Sequence, residues 1–365
     1  MKMDLLYEIE SDRPFDRQAQ KELFDHVLQE VELADRLGFH SAWFVEHHFL
    51  VEFAHSSAPE VILGALSQRT ERIRLGHGVV LLPYPFNHPI RVAERIATLD
   101  ILSGGRVEFG TGRSSTFEQR GFSIPWQESR AMWQEALSII PRMWRDEPFS
   151  YEGRYFQIPE RHVVPKPLQQ PHPPIWLACT SPESWRLAGI NGIGALGFSI
   201  QADLEEVKAR IDIYKEHLQQ ARPVGEFIND QVGVFTMVCC APTDEEAEQT
   251  AFEPFLWYTK KSYEILLGGG KGASWQDLRE SERMYLEVLE GRGPEVFKYM
   301  KENATVVVGN PEHCIERFKQ YEALGVDLIL CLVQLWGMPL EKTMQTIELI
   351  GKEVIPAFKE TRVGA

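Results

Sequence analysis

Residues Val45 to Phe49 read V-E-H-H-F and stand where a short apolar run, Ser41 to Val45, ends. Two imidazoles and a carboxylate are costly to bury and useful at an open strand end. An imidazole titrates near pH ~6.5, which suits moving a proton at neutral pH. Adjacent residues of a strand point to opposite sides, so at most one of His47 and His48 shares a face with any partner. General acid–base work by one histidine is the first reading. Metal ligation by Glu46, His47 and His48, as in a metal-dependent barrel hydrolase, is a second. Plain hydrogen bonding at a rim is the third.

A different chemistry is offered by Gly110-Thr111-Gly112-Arg113-Ser114-Ser115. As a dinucleotide fingerprint it is poor, because Ser115 takes the third glycine position and no clean helix is expected to begin there. As a phosphate-binding turn it is better. Two glycines let backbone amides approach an anion, and Arg113 offers a forked, charge-assisted contact. A tight turn with a solvated arginine is the alternative. Thr180-Ser181-Pro182, with Ser184 one turn on, places Ser181 as a helix N-cap and Pro182 as the first helical residue. Free N–H groups and hydroxyls at a helix start take anions readily, although plain capping explains the same residues. Ser129-Arg130 is a similar, weaker candidate. Three such sites near neighbouring strand ends can converge on one phosphate. Gly268 to Gly272 is not a nucleotide loop, since Lys271 is followed by glycine rather than by Ser or Thr.

These residues need a scaffold, and the chain supplies a repeating one. Strands are expected at Met3–Ile9, Ser41–Val45, Ile73–Leu82, Arg106–Thr111, Ile175–Cys179, Ala195–Phe198, Gln231–Cys239 and Val326–Leu332. Between them the apolar spacing is helical, over Arg17–Leu37, Pro59–Gln68, His88–Leu102, Gln127–Arg145, Pro182–Ala188, Leu204–Gln219, from Glu245 onward, and over Pro311–Leu324, with Leu340–Phe358 last. Gly38 closes the first helix, and Tyr151 to Tyr155 suggests a hairpin turn. Such alternation means parallel strands joined by crossovers. Eight of them predict an α/β fold of the (β/α)8 TIM-barrel type, with a doubly wound sheet as the structural runner-up. Barrels carry their chemistry at the carboxyl ends of the strands and need about 250 residues. One domain, 1–365, therefore holds insertions. The clearest is 258–303, glycine-rich and charged, read as a mobile lid; a surface excursion without a role is the alternative.

Bulk properties exclude several partners. Lys plus Arg number 38 and Asp plus Glu 53, a net charge of −15 that argues against nucleic acid and anionic membranes. The five cysteines form no C-x-x-C pair, so a reducing compartment with neither disulfides nor a zinc site is expected. The first stretch carries Asp4, Glu8, Glu10 and Asp12 and no apolar h-region. A soluble cytoplasmic protein without signal peptide, membrane span or metal follows as the expectation.

With these segments in view the chain resembles the bacterial luciferase-like, flavin-dependent monooxygenases over nearly its whole length. The resemblance rests on W-F-V-E-H-H-F, on H-P-I-R-V-A-E-R-I-A-T-L-D-I-L-S-G-G-R-V-E-F-G-T-G-R, on V-V-P-K-P-L-Q-Q-P-H-P-P-I-W-L-A, and on V-V-G-N-P-E-H-C-I-E-R-F-K near the end. It implies a (β/α)8 barrel that binds reduced FMN at the strand ends, reacts it with O2 to a C4a-hydroperoxide and oxygenates a small organic substrate. A separate flavin reductase is the implied partner, and a homodimer the implied assembly. F420, a deazaflavin used by a subgroup of the same fold, is the alternative cofactor. By motif position His47 is the implied catalytic histidine. Arg113, Arg130, Ser181 and Ser184 fall on phosphate-binding positions, and Gly78-Val79 falls where the family has a non-prolyl cis peptide against the flavin ring. Gly112 stands where luciferases have cysteine and Thr180 where they have glutamate, both still lying in the cofactor-binding stretches. These departures speak against light emission from long-chain aldehydes. A non-catalytic flavin-binding relative is the remaining alternative within the resemblance.

Overall fold

Eight parallel strands close on themselves in the computed structural model, which describes residues 1–200, 202–266, 287, 288 and 290–359. Around the ring run β1 (Lys2–Tyr7), β2 (Ser41–Phe44), β3 (Arg74–Leu81), β4 (Val107–Gly112), β7 (Ile175–Ala178), β8 (Gly194–Phe198), β9 (Val232–Cys240) and β11 (Leu328–Leu332). Closure comes from β11 pairing with β1, Lys2 opposite Leu328, and from β9 pairing with both β8 and β11. Two strands forming the expected hairpin, β5 (Phe149–Glu152) and β6 (Gln157–Arg161), pair antiparallel outside the ring. A short β10 (Val307–Gly309) adds to the outer edge of β9. The fold is the (β/α)8 barrel, not the doubly wound sheet.

Helices on the outside follow the strands: α1 (Arg17–Leu37), α2 (Pro59–Ser67), α3 (Pro89–Leu102), α5 (Trp126–Met143), α6 (Pro182–Ile190), α7 (Leu204–Leu218) and α8 (Asp244–Leu266). Their ends are fixed by local chemistry. Asp16 caps α1 by accepting the N–H groups of Gln18 and Ala19, and Gly38 ends it at φ 88°, a conformation glycine takes without a Cβ penalty. His88 caps α3 by accepting the Ile90 N–H at 3.3 Å. The last helix is not continuous. A π-helical segment, Ile350–Val354, joins Leu340–Leu349 to Ile355–Lys359. There Gly351 lets the helix approach Leu37, where a Cβ would stand 2.6 Å from that side chain.

The lower interior of the barrel is plugged by two tryptophans. Trp43 and Trp176 meet edge to face at 5.6 Å, and each indole N–H is satisfied, by Asp4 at 2.9 Å and by Glu108 at 2.7 Å. Glycine makes room for them: a Cβ at Gly76 would lie 2.3 Å from the Trp43 ring and one at Gly194 2.2 Å from Trp176. Leu6, Leu328 and Leu330 pack with them. Whatever occupies the barrel must therefore sit above this layer, at the strand ends.

The lid expected at 258–303 falls partly outside the described residues, including Gly268 to Gly272. Its described parts are the end of α8 and a helix, Gly293–Glu302, that the sequence did not announce. That helix packs on an earlier turn of α8, through Phe297 and Phe252, ring centroids 5.3 Å apart.

Candidate active site

A cavity of about 340 Å³ opens at the carboxyl ends of the strands, within the range of small-molecule sites. His47, Gly78, Val79, Gly112, Arg113, Arg130, Thr180 and Ser184 all line it. Ser181 does not. Its hydroxyl caps α6, accepting the Ser184 N–H at 3.4 Å, while the Ser184 hydroxyl accepts the Ser181 N–H at 2.9 Å. The Gly78–Val79 peptide is cis. Gly112 fits beneath Val79, where a Cβ would be 2.4 Å from Val79 Cγ2.

The E-H-H triplet lies just past the end of β2 at Phe44, and Glu46 and His47 both line the cavity while His48 does not. Glu46 braces the end of β3, accepting the Leu81 N–H and the Asn87 amide, each at 2.8 Å. His48 packs among rings, stacked on Phe86 and edge-on to Phe122. His47 alone of the two histidines lines the cavity, and its Nδ1 lies 3.0 Å from Glu118 Oε1. A carboxylate only accepts, so Nδ1 donates and Nε2 is left for a ligand. No such partner was foreseen, and neither was the element carrying it. Contrary to expectation a helix does begin after the glycine turn: α4 (Thr116–Gly121), with Ser115 as N-cap. The signal was present as Ser115-Thr116-Phe117-Glu118, a capping-box spacing. Glu118 is fully buried and also accepts the His48 N–H at 2.8 Å and the hydroxyls of Ser114 and Ser115 at 2.6 and 2.7 Å.

These contacts set the charges. Burial works against a protonated His47, but the Glu118 carboxylate outweighs it, helped by Glu8 and Glu46, and the imidazole is raised to about 9. Burial would raise Glu118, yet His47 and the donors around it bring it down to about 2. An imidazolium–carboxylate pair results at neutral pH.

Glu8, just past the end of β1, lines the cavity as well. One oxygen accepts the Tyr258 hydroxyl at 2.9 Å; the other is buried without a partner. Burial pushes this carboxyl up to about 7 against the pull of His47 and Tyr258. Nothing in the local sequence marks Glu8, since Tyr258 lies far along the chain in α8.

Beyond β4 and β7 the sign reverses. Arg113 Nη1 donates to Ser129 Oγ at 3.2 Å and makes no ion pair among the described residues. Burial and then the neighbouring Arg130 hold its guanidinium below the usual arginine range. Arg130 is partly balanced by Glu183 at 3.3 Å. Two guanidiniums therefore line one cavity next to the start of α6, an arrangement chemically suited to an anion. Among the described residues no group of three or more His, Cys, Asp and Glu is placed to hold a metal ion, and no helix is long and apolar enough to cross a membrane.

The mouth of the parallel barrel thus carries a histidine–carboxylate pair on one side and two guanidiniums on another. The chain belongs to the luciferase-like monooxygenase family, whose profile matches residues 3–328. It is 27% identical over 361 residues, 97% of this chain and 95% of the other, to the oxygenase component of a flavin-dependent trigonelline monooxygenase from Acinetobacter baylyi. Limonene 1,2-monooxygenase from Rhodococcus erythropolis is 34% identical over 341 residues, 91% of this chain and 80% of that one. An F420-dependent glucose-6-phosphate dehydrogenase from Microbacterium testaceum is 32% identical over 337 residues, 90% and 91% of the two chains. In structure the chain is similar to the FMN-bound oxygenating constituent of 3,6-diketocamphane monooxygenase from Pseudomonas putida. The TM-score is 0.77 and the identity 23%, over 98% of each chain.

Proposed function

We propose that this protein is the oxygenase component of a two-component flavin-dependent monooxygenase. It takes reduced FMN from a separate flavin reductase and uses O2 to oxygenate a small organic substrate. The carrying observation is the pair Arg113 and Arg130 facing one cavity with His47, a fit for a phosphate tail at one side and a reacting ring at the other. Bound flavin supplies the electron pair that activates O2, one oxygen atom passing to substrate and the other to water. The chain's own residues do the rest. Arg113, Arg130 and the Thr180–Ser184 turn hold the tail, with Ser181 supporting through its cap rather than by direct contact. Gly78, Val79 and Gly112 give the ring a close-fitting floor. The imidazolium of His47 holds a proton on Nε2, steadied by Glu118, and can pass it to an atom of the bound ligands. Apolar walls keep out water. The same reading carries a cytoplasmic homodimer with a single barrel domain.

Titration with FMN tests it. A charge-assisted contact is worth about 1.5–3 kcal/mol, so Arg113→Ala should weaken FMN binding by roughly 10- to 100-fold. Riboflavin, which has no phosphate, should bind wild type and variant alike. Equal FMN affinity in the two proteins defeats the phosphate assignment. Titrating F420 in parallel decides between the cofactors, and label from 18O2 appearing in product separates an oxygenase from a non-catalytic flavin binder.

A further inference from the structure

We propose that the cavity wall made by Glu8, Phe53, Phe235 and Tyr258 receives a positively charged nitrogen of the organic substrate, with Glu8 as its counter-charge. This rests on the reading of the Arg113 side as the cofactor's. In the ring of eight strands β1 stands opposite β7. Glu8 follows β1, whereas Thr180 and Ser184 follow β7. A cofactor whose tail lies at Arg113, Arg130 and Ser184 therefore leaves Glu8 on the far wall.

That wall holds an unsatisfied charge site. Glu8 is 4% exposed, its Oε1 is taken by the Tyr258 hydroxyl, and its buried Oε2 has no partner. A buried polar oxygen left bare costs about 1–3 kcal/mol, so a ligand that meets it is favoured over one that does not. Two residues on, Glu10 is also buried. One of its oxygens accepts the Trp336 N–H at 2.5 Å and the other is bare. Burial and the neighbouring Glu8 make Glu10 hard to ionise, and Glu118 opposes the ionisation of Glu8. His47, the cation that acts on Glu8, is already held by Glu118. A neutral donor would satisfy the bare oxygen only; a cation would satisfy it and also favour the ionised form of Glu8, which burial disfavours. The surrounding rings favour the same choice, since Phe53 and Tyr258 lie 5.0 Å apart and aromatic faces attract cations.

Two probes of one shape and different charge test this: 1-methylquinolinium and 1-methylnaphthalene. Each is titrated calorimetrically into wild type and Glu8→Gln, with and without saturating FMN. Wild type should bind the cation at least about tenfold more tightly than the hydrocarbon. Glu8→Gln should abolish that preference while leaving affinity for the hydrocarbon and for FMN unchanged. Equal affinities in wild type, or a preference that survives Glu8→Gln, overturns the proposal. So does weakened FMN binding in Glu8→Gln, which would make Glu8 a cofactor residue. Failure of the cofactor reading shows separately, as an FMN affinity indifferent to Arg113→Ala.

Discussion

Replacing Glu118 by Gln keeps the shape of the side chain and removes its charge. In the wild-type protein His47 is raised from 6.5 to about 9 and Glu118 lowered from 4.5 to about 2. The two displacements match, at about 2.5 pH units each, and one pH unit corresponds to about 1.4 kcal/mol. The upper figure for the pair is thus about 3 kcal/mol. His47 keeps 27% of its side-chain surface open to solvent, so screening reduces that to about 2 kcal/mol. The sign differs for the two partners. His47, raised on folding, contributes stability that is complete below 6.5 and lost as the pH rises through 9. Glu118, lowered on folding, contributes stability that is complete above 4.5 and lost as the pH falls through 2. With Gln at 118 the burial that disfavours the imidazolium remains and the main charge opposing it is gone. The His47 titration midpoint should then drop by about two pH units or more. Following the 13Cε1 signal of labelled histidine by NMR, with His47→Asn to assign it, reads this directly. A midpoint within half a pH unit of wild type in Glu118→Gln would refute the claim that this ion pair governs the proton on His47.

Two other perturbations have defined outcomes. Glu30, on α1, is buried and burial raises it to about 8, so it is neutral when folded at pH 7 and ionised when unfolded. It therefore opposes folding increasingly from about pH 4.5 to 8, by a few kcal/mol at the upper end. Glu30→Gln should raise the melting temperature above pH 7 and change it little at pH 4; a difference that stays flat with pH would count against this. Gly112→Ala would press a methyl group into Val79, so FMN affinity should fall by roughly tenfold or more, since packed interiors do not absorb such overlaps freely. Val79→Ala should restore part of it, and a Gly112→Ala protein that binds FMN normally would remove Gly112 from the floor of the site.

The barrel was readable because its signals are long and periodic. Strand and helix alternate across the chain, and every ring strand was expected within a few residues of its place. Short elements escaped. Helix α4 has six residues, too few to show an apolar stripe, and its only mark was the serine–glutamate spacing at Ser115 and Glu118. Strand β10 has three. Within the site, local rules worked where local physics decides. Ser181 was placed as a cap, as found, whereas His47 and His48 part company beyond the end of β2 rather than by strand alternation. That the cap satisfies itself and turns Ser181 away from the cavity depends on the Ser184 hydroxyl, whose direction a sequence does not disclose. Glu8 is the extreme case. Its environment is assembled from β1, the segment after β2 and α8, which barrel closure alone brings together.

Ring order also explains why the cavity is polarised. The neighbouring strands β4 and β7 deliver Arg113 and the start of α6, and α5 adds Arg130, so positive groups collect on one side. Strands β1 and β2 are neighbours too, and deliver Glu8, Glu10 and His47, with Glu118 behind them. Each cluster is unfavourable by itself: two guanidiniums repel, and two buried carboxyls resist ionisation. His47 and Glu118 cancel each other and leave both imbalances standing. Such uncompensated groups at the two ends of one cavity do little for folding and much for recognition, because a ligand of complementary charge gains at each end what the free protein lacks. In the proposed function an anionic tail answers the β4–β7 side. The β1 side remains to be answered by a second molecule, which is the arrangement an enzyme joining a cofactor to a separate substrate requires.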